Sequence, residues 1–116
     1  MSKVTTVNDA VIALNGNLSG AIEIGAVDAV GLVMPAAVDG TTITFAVCDT
    51  LGGTYVPLYD DTGVEVSVTH AASRAVSLST VLASMFPWKF IKLRTGTSGT
   101  PVTQTAARTI KVVTKG

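Results

Sequence analysis

A chain of 116 residues that is 47% apolar but only 14% charged suits one compact domain with well under the typical charged share of about 25%. A formal net charge of zero excludes the basic footprint of a nucleic-acid binder, and the one cysteine, Cys48, excludes an intramolecular disulfide. The longest apolar stretch, residues 26–38, is too short to span a bilayer and contains Asp28 and Pro35, so no membrane partner is expected.

The seventeen threonines and seventeen valines are β-branched and favour a pleated sheet. In chain order the strand-like runs are VTTV, VIAL, GAIEI, AVGLVM, TITFAV, TYVPLY, VEVSV, RAVSL, WKFIKLR and RTIKVVT. Eight to ten short strands separated by turn signals predict an all-β, antiparallel sandwich. The opening MSKVTTVNDA lacks the apolar core of a secretory signal. Residues 1–18 read as an N-terminal arm or first edge strand, before a single sandwich domain over 19–116.

Alternation is clearest where Ile43, Phe45 and Val47 oppose Thr42, Thr44 and Ala46, where Val64, Val66 and Val68 oppose Glu65, Ser67 and Thr69, and where Ile91 and Leu93 oppose Lys92 and Arg94. Asp49 with the pair Gly52-Gly53, and the DDTG run at 60–63, predict two tight turns that use positive φ. Together they predict a β-meander over residues 42–69. The one helical candidate lies near 79–86, with Ser79 or Thr80 as its cap and Pro87 as its stop.

Charge is divided along the chain: all eight carboxylates and one base precede residue 66, and the other seven bases follow it, so the two parts carry −7 and +7. Interleaved strands would neutralise the two parts internally. A molecule with one acidic and one basic face would instead join copies or a charged partner. The low charge and a mean hydropathy of +0.52 predict a surface that is largely covered in the working state.

No catalytic signature is legible. The sole histidine, His70, stands beside no nucleophile elbow and reads as an exposed loop residue. Asp49, Asp60 and Asp61 are the best carboxylate group for a metal, but adjacent acids at a turn are ordinary turn formers. The glycine-rich pieces lack the lysine of a phosphate loop. The expectation is a non-enzyme with no cofactor and no metal.

In the run WKFIKLR, Trp88, Phe90, Lys92 and Arg94 alternate with Lys89, Ile91 and Leu93. If the first set faces outward, two aromatics flanked by two cations form an interface anchor; if it faces inward, the aromatics are core. A connector follows, TGTSGTPVTQTAA, free of chemistry but rich in hydroxyl and backbone groups, and flexible at its glycines. Thr95–Ala106 reads as a contact region. The candidate contact residues are therefore Trp88, Phe90, Lys92, Arg94, Thr95, Thr97, Ser98, Pro101, Gln104 and Arg108.

Three motifs carry a family likeness: MPAA at Met34–Ala37, the hairpin pattern D..GGTY.PLYD..G at Asp49–Gly63, and KLR.GTSGTPV.Q.A.R at Lys92–Arg108. From Ser19 to Val113 the chain resembles a family of small virion proteins encoded among the structural genes of tailed bacteriophages. The most similar functional type is the capsid decoration, or cement, protein of short-tailed phages. That resemblance implies a jelly-roll-like sandwich, a homodimer or homotrimer, and binding to the major capsid protein on the outer surface of the head. It also implies manufacture in the bacterial cytoplasm. Tail, neck and head-fibre components share this size and composition, and a receptor- or glycan-binding sandwich is the further alternative.

Overall fold

The computed structural model describes residues 4–116, which form nine strands and one short helix. The strands are β1 (Thr5–Ile12), β2 (Ile22–Glu23), β3 (Asp28–Val33), β4 (Thr42–Cys48), β5 (Val56–Pro57), β6 (Ser67–Thr69), β7 (Ala75–Ser77), β8 (Phe90–Thr95) and β9 (Arg108–Lys115), with helix α1 (Leu82–Met85) between β7 and β8. They build two antiparallel sheets, one ordered β1-β9-β3-β7 and the other β2-β8-β4-β5, with β6 also paired to β4. First pairs with last, second with penultimate, and third with seventh. That is a long antiparallel ribbon rolled into two facing sheets, the jelly-roll arrangement, with its tip at β4 and the split strand β5/β6.

VTTV and VIAL are one strand, because Thr5–Ile12 pairs without interruption to Arg108–Lys115. β1 is thus an edge of the first sheet, and the first three residues of the expected arm lie outside the described residues. The core fills the space between the sheets: Ala10 and Ile12 from β1, Leu32 from β3, Ile43, Phe45 and Val47 from β4, Ile91 and Leu93 from β8, and Ile110 and Val112 from β9 are all buried. Every one of these positions obeys period-two alternation.

The meander takes a different form. β5 and β6 both lie along the same side of β4, pairing Val47↔Val56 and Ala46↔Pro57, then Thr44↔Ser67 through Thr42↔Thr69. Between them a small loop is extruded at a Tyr59↔Glu65 bridge. Its turn uses Gly63 at φ 84°, while Asp60 Oδ1 accepts from the backbone N–H of Thr62 at 2.9 Å and of Val64 at 3.0 Å. Gly52 and Gly53 are not among the residues with positive φ. Gly53 is required for closeness instead: a Cβ there would collide with Thr50 Oγ1 and Cys48 Sγ. The helix also differs from expectation, since its N-cap is Val81 with no side-chain cap; Ser79 and Thr80 precede it on the exposed surface.

Topology interleaves part of the divided charge. Because early strands pair with late ones, each ion pair joins the two parts of the chain: Asp9 to Lys111 at 3.2 Å, Asp39 to Arg108 at 3.6 Å and Glu65 to Arg94 at 3.7 Å. Three of the eight carboxylates are neutralised in this way, and only Asp9–Lys111 lies across neighbouring strands; among the described residues Glu23, Asp28, Asp49, Asp60 and Asp61 form no ion pair.

His70 is not an exposed loop residue: it is 1% exposed, and neither ring nitrogen has a protein hydrogen-bond partner. Its backbone N–H is tied to the Thr41 carbonyl at 2.9 Å just past β6, which turns the ring inward. Burial pushes its pKa below the usual histidine value, and the nearby Thr42 backbone offsets only part of this. The unfolded chain therefore takes up a proton near pH 6.5 that the folded chain refuses. Stability should fall as pH drops through that value and level off only below the lower folded pKa. The carboxyls of Asp39 and Asp60, both held below 3.8 by hydrogen bonds led by those from Thr105 and Thr62 respectively, titrate beneath this window. Urea midpoints at about pH 7.5 and about pH 5 should differ for the wild type, and His70→Leu should remove the histidine part of that difference without loss at neutral pH.

Candidate functional site

Of the ten contact residues expected from sequence, several act inside the fold. Ile91 and Leu93 face the core, so Phe90, Lys92 and Arg94 lie on the other face of β8. Phe90 is nevertheless buried, and Trp88 precedes the strand and packs half-buried against the core. Alternation does not extend back through Pro87. Lys92 sits over the Tyr55 ring at 4.3 Å from its centroid, a cation–π contact that covers Ala46 of β4. Arg94 turns toward Thr44 and Glu65. The second face of β4 is thereby covered as well, and all of Ile43–Cys48 is buried.

The connector is a built part of the sandwich. Thr95 is buried, and its hydroxyl donates to the Val102 carbonyl at 2.7 Å, closing a loop pinched by a Gly96↔Pro101 bridge. Gly96 makes the turn possible at φ 84°. Glu65 holds the loop from outside, its carboxylate accepting the Ser98 N–H at 3.1 and 3.2 Å. Thr97 and Pro101 are exposed at the tip and Ser98 is half-buried.

Gln104 anchors the other end. It is 0% exposed, and its carboxamide imitates a backbone unit: Oε1 accepts the Asp39 N–H at 2.9 Å while Nε2 donates to the Asp39 carbonyl at 2.9 Å. Its own backbone exchanges hydrogen bonds with Asn15 and Gly16 at 2.9 Å. Arg108 Nε donates to Gln104 Oε1 at 3.2 Å, and Asp39 Oδ2 accepts from Thr105 N at 2.7 Å. Gln104, Asp39, Thr105 and Arg108 thus form one polar clamp.

The open surface lies elsewhere, in a groove that sequence reading touched only at Trp88. Two adjoining hollows of about 410 and 500 Å³ share Pro87 and Trp88. Tyr59, Asp60, Asp61 and Ser84 line one, and Glu23, Gly25, Phe86 and Lys89 line the other. Tyr59 is 50% exposed and Phe86 61%. Buried Met85 anchors α1 and accepts the Trp88 N–H at 3.1 Å, so Phe86 and Pro87 are presented outward by the helix end. The extruded 59–65 loop brings Tyr59 and the two aspartates to the opposite wall. Asp60 Oδ1 is used by its own turn, which leaves Asp60 Oδ2 and the exposed Asp61 as acceptors facing solvent. Among the described residues, no three of His, Cys, Asp and Glu cluster as metal ligands would.

The whole fold is similar to that of the SPBc2 prophage-derived protein YomS. The TM-score is 0.55 at 10% sequence identity, and the match covers 100% of this chain and 98% of that one. At that identity the likeness is one of fold. No protein-family model and no curated protein matches the sequence.

Because Gln104 is fully buried and its carboxamide is bonded at both ends, Gln104→Ala should destabilise the protein by about 2–3 kcal/mol, stranding the N–H and C=O of Asp39. Exposed Thr103→Ala in the same connector should change stability by less than about 0.5 kcal/mol. Urea unfolding of the two variants checks the contrast.

Proposed function

We propose that the protein is a non-enzymatic structural component of a bacteriophage particle, a capsid decoration or cement protein. It binds the outer surface of the head as a homodimer or homotrimer and bridges neighbouring copies of the major capsid protein. The observation that carries this reading is the jelly-roll sandwich shared end to end with a prophage-derived protein. The sequence likeness to small virion proteins over Ser19–Val113 supports it, as does a surface poor in charge whose ion pairs are internal. The mechanism is linkage: a protein that binds only the assembled lattice stabilises it by its binding free energy, and bridging contacts add by multivalency.

A second reading, a receptor- or glycan-binding module, is favoured by the groove of Tyr59, Phe86 and Trp88. Aromatic faces beside free carboxylate acceptors suit the apolar faces and hydroxyls of a sugar.

Cosedimentation with empty heads of the encoding phage tests the first reading. Stoichiometric binding is expected. Comparing about 0.05 with about 0.5 M salt separates a contribution from the charges without an ion-pair partner, which screening would weaken, from contact by shape, which it would not. Absence of binding overturns the head assignment and leaves a tail, neck or head-fibre role. Glycan-array binding that disappears in Trp88→Ala would then select the second reading.

A further inference from the structure

The two sheets have four lateral edges, and three of them are short or broken. β2 offers two residues and β7 three, while the edge along β4 is interrupted between β5 and β6. β1 is different, with eight residues bordered by β9 on one side only. Val4 and Gly116 exchange both of their backbone hydrogen bonds at 3.1 Å. By the alternation of an antiparallel ladder, the backbone groups of Val4, Thr6, Asn8, Ala10 and Ile12 then point at β9, and those of Thr5, Val7, Asp9 and Val11 point away from it. The Val11 carbonyl accepts the Gly20 N–H at 3.2 Å, which closes that end. Among the described residues, the outward N–H and C=O groups of Thr5, Val7 and Asp9 meet no backbone partner.

An open edge of this length normally carries a lysine, a proline or a bulge to prevent pairing. β1 has none of these from Val4 to Ile12. Its one charge, Asp9, is neutralised by Lys111, and Val7 is 55% exposed.

We propose that β1 is a self-pairing edge. Two copies join antiparallel about a two-fold axis at Val7, with Val7 opposite Val7 and Thr5 opposite Asp9 of the second copy, so that two four-stranded sheets become one continuous sheet. This register uses all the free backbone groups: three residue pairs, each exchanging two hydrogen bonds. It is also complementary in side chains. On the solvent face Val7 lies beside Val113, Asp9 beside Lys111 and Thr5 beside Lys115. Across the axis the valines form one apolar row. Asp9 then stands one strand away from Lys115 of the second copy, about 10 Å between backbones and within reach of a lysine side chain. No like charges are opposed. Such an isologous contact closes on itself. A contact of three residue pairs along one edge is small, so association is reversible and depends on concentration.

The inference rests on the self-association in the proposed function and not on head binding; the test contains no heads, so either can fail without the other. Sedimentation velocity of the purified protein from about 10 µM to about 1 mM should show a reversible monomer–dimer equilibrium. Val7→Pro removes an N–H that points away from β9, so the protomer's own ladder is kept. It should weaken the dimer at least about tenfold. Val7→Lys keeps the backbone groups but sets two cations opposite each other, and it should have the same effect; if Val7→Pro fails to fold, this variant decides. A wild type that stays monomeric at about 1 mM, or an oligomer whose dissociation constant a folded Val7 variant leaves unchanged, overturns the proposal.

Discussion

The pairing of the last strand with the first is the contact on which the other features depend. β9 lies between β1 and β3, so it completes the first sheet and closes the roll. In doing so it brings the basic end of the chain against the acidic beginning, as in the pair Asp9–Lys111. The connector 95–107 must run back from β8 in one sheet to β9 in the other. The Gln104–Asp39 clamp fixes its path with part-buried hydrogen bonds whose loss would strand the backbone of Asp39.

What the sequence made legible follows the strength of the local signal. Ile43, Phe45 and Val47, and Ile91 with Leu93, alternate as core strands must, and the all-β sandwich follows from such runs. The turn at Asp60–Gly63 was readable because Asp and Gly perform local chemistry there. His70 and Gln104 were not readable: polar residues in bland surroundings carry no sign that a distant segment will cover them. Asp39 lies 65 residues from Gln104. The groove escaped for a related reason, since Tyr59 and Phe86 belong to separate loops that only the rolled topology brings to either side of Trp88.

With part of the charge paired internally and the connector clamped, the described surfaces best shaped for a partner are the aromatic groove, the Thr97–Pro101 tip and the open edge of β1. Each combines apolar groups with a few polar or charged ones in a fixed geometry. That suits a protein held by shape and many repeated weak contacts rather than by electrostatic steering. A jelly roll alone fixes no role, since the fold serves many.

Heat-induced DNA release from phage heads tests most directly whether that binding reinforces a shell. Heads stripped of the protein and heads restored with a saturating amount would be heated in parallel. The restored heads should release their DNA at a higher temperature, reached at a fixed number of copies per head. Identical release temperatures with the protein demonstrably bound would contradict a reinforcing role.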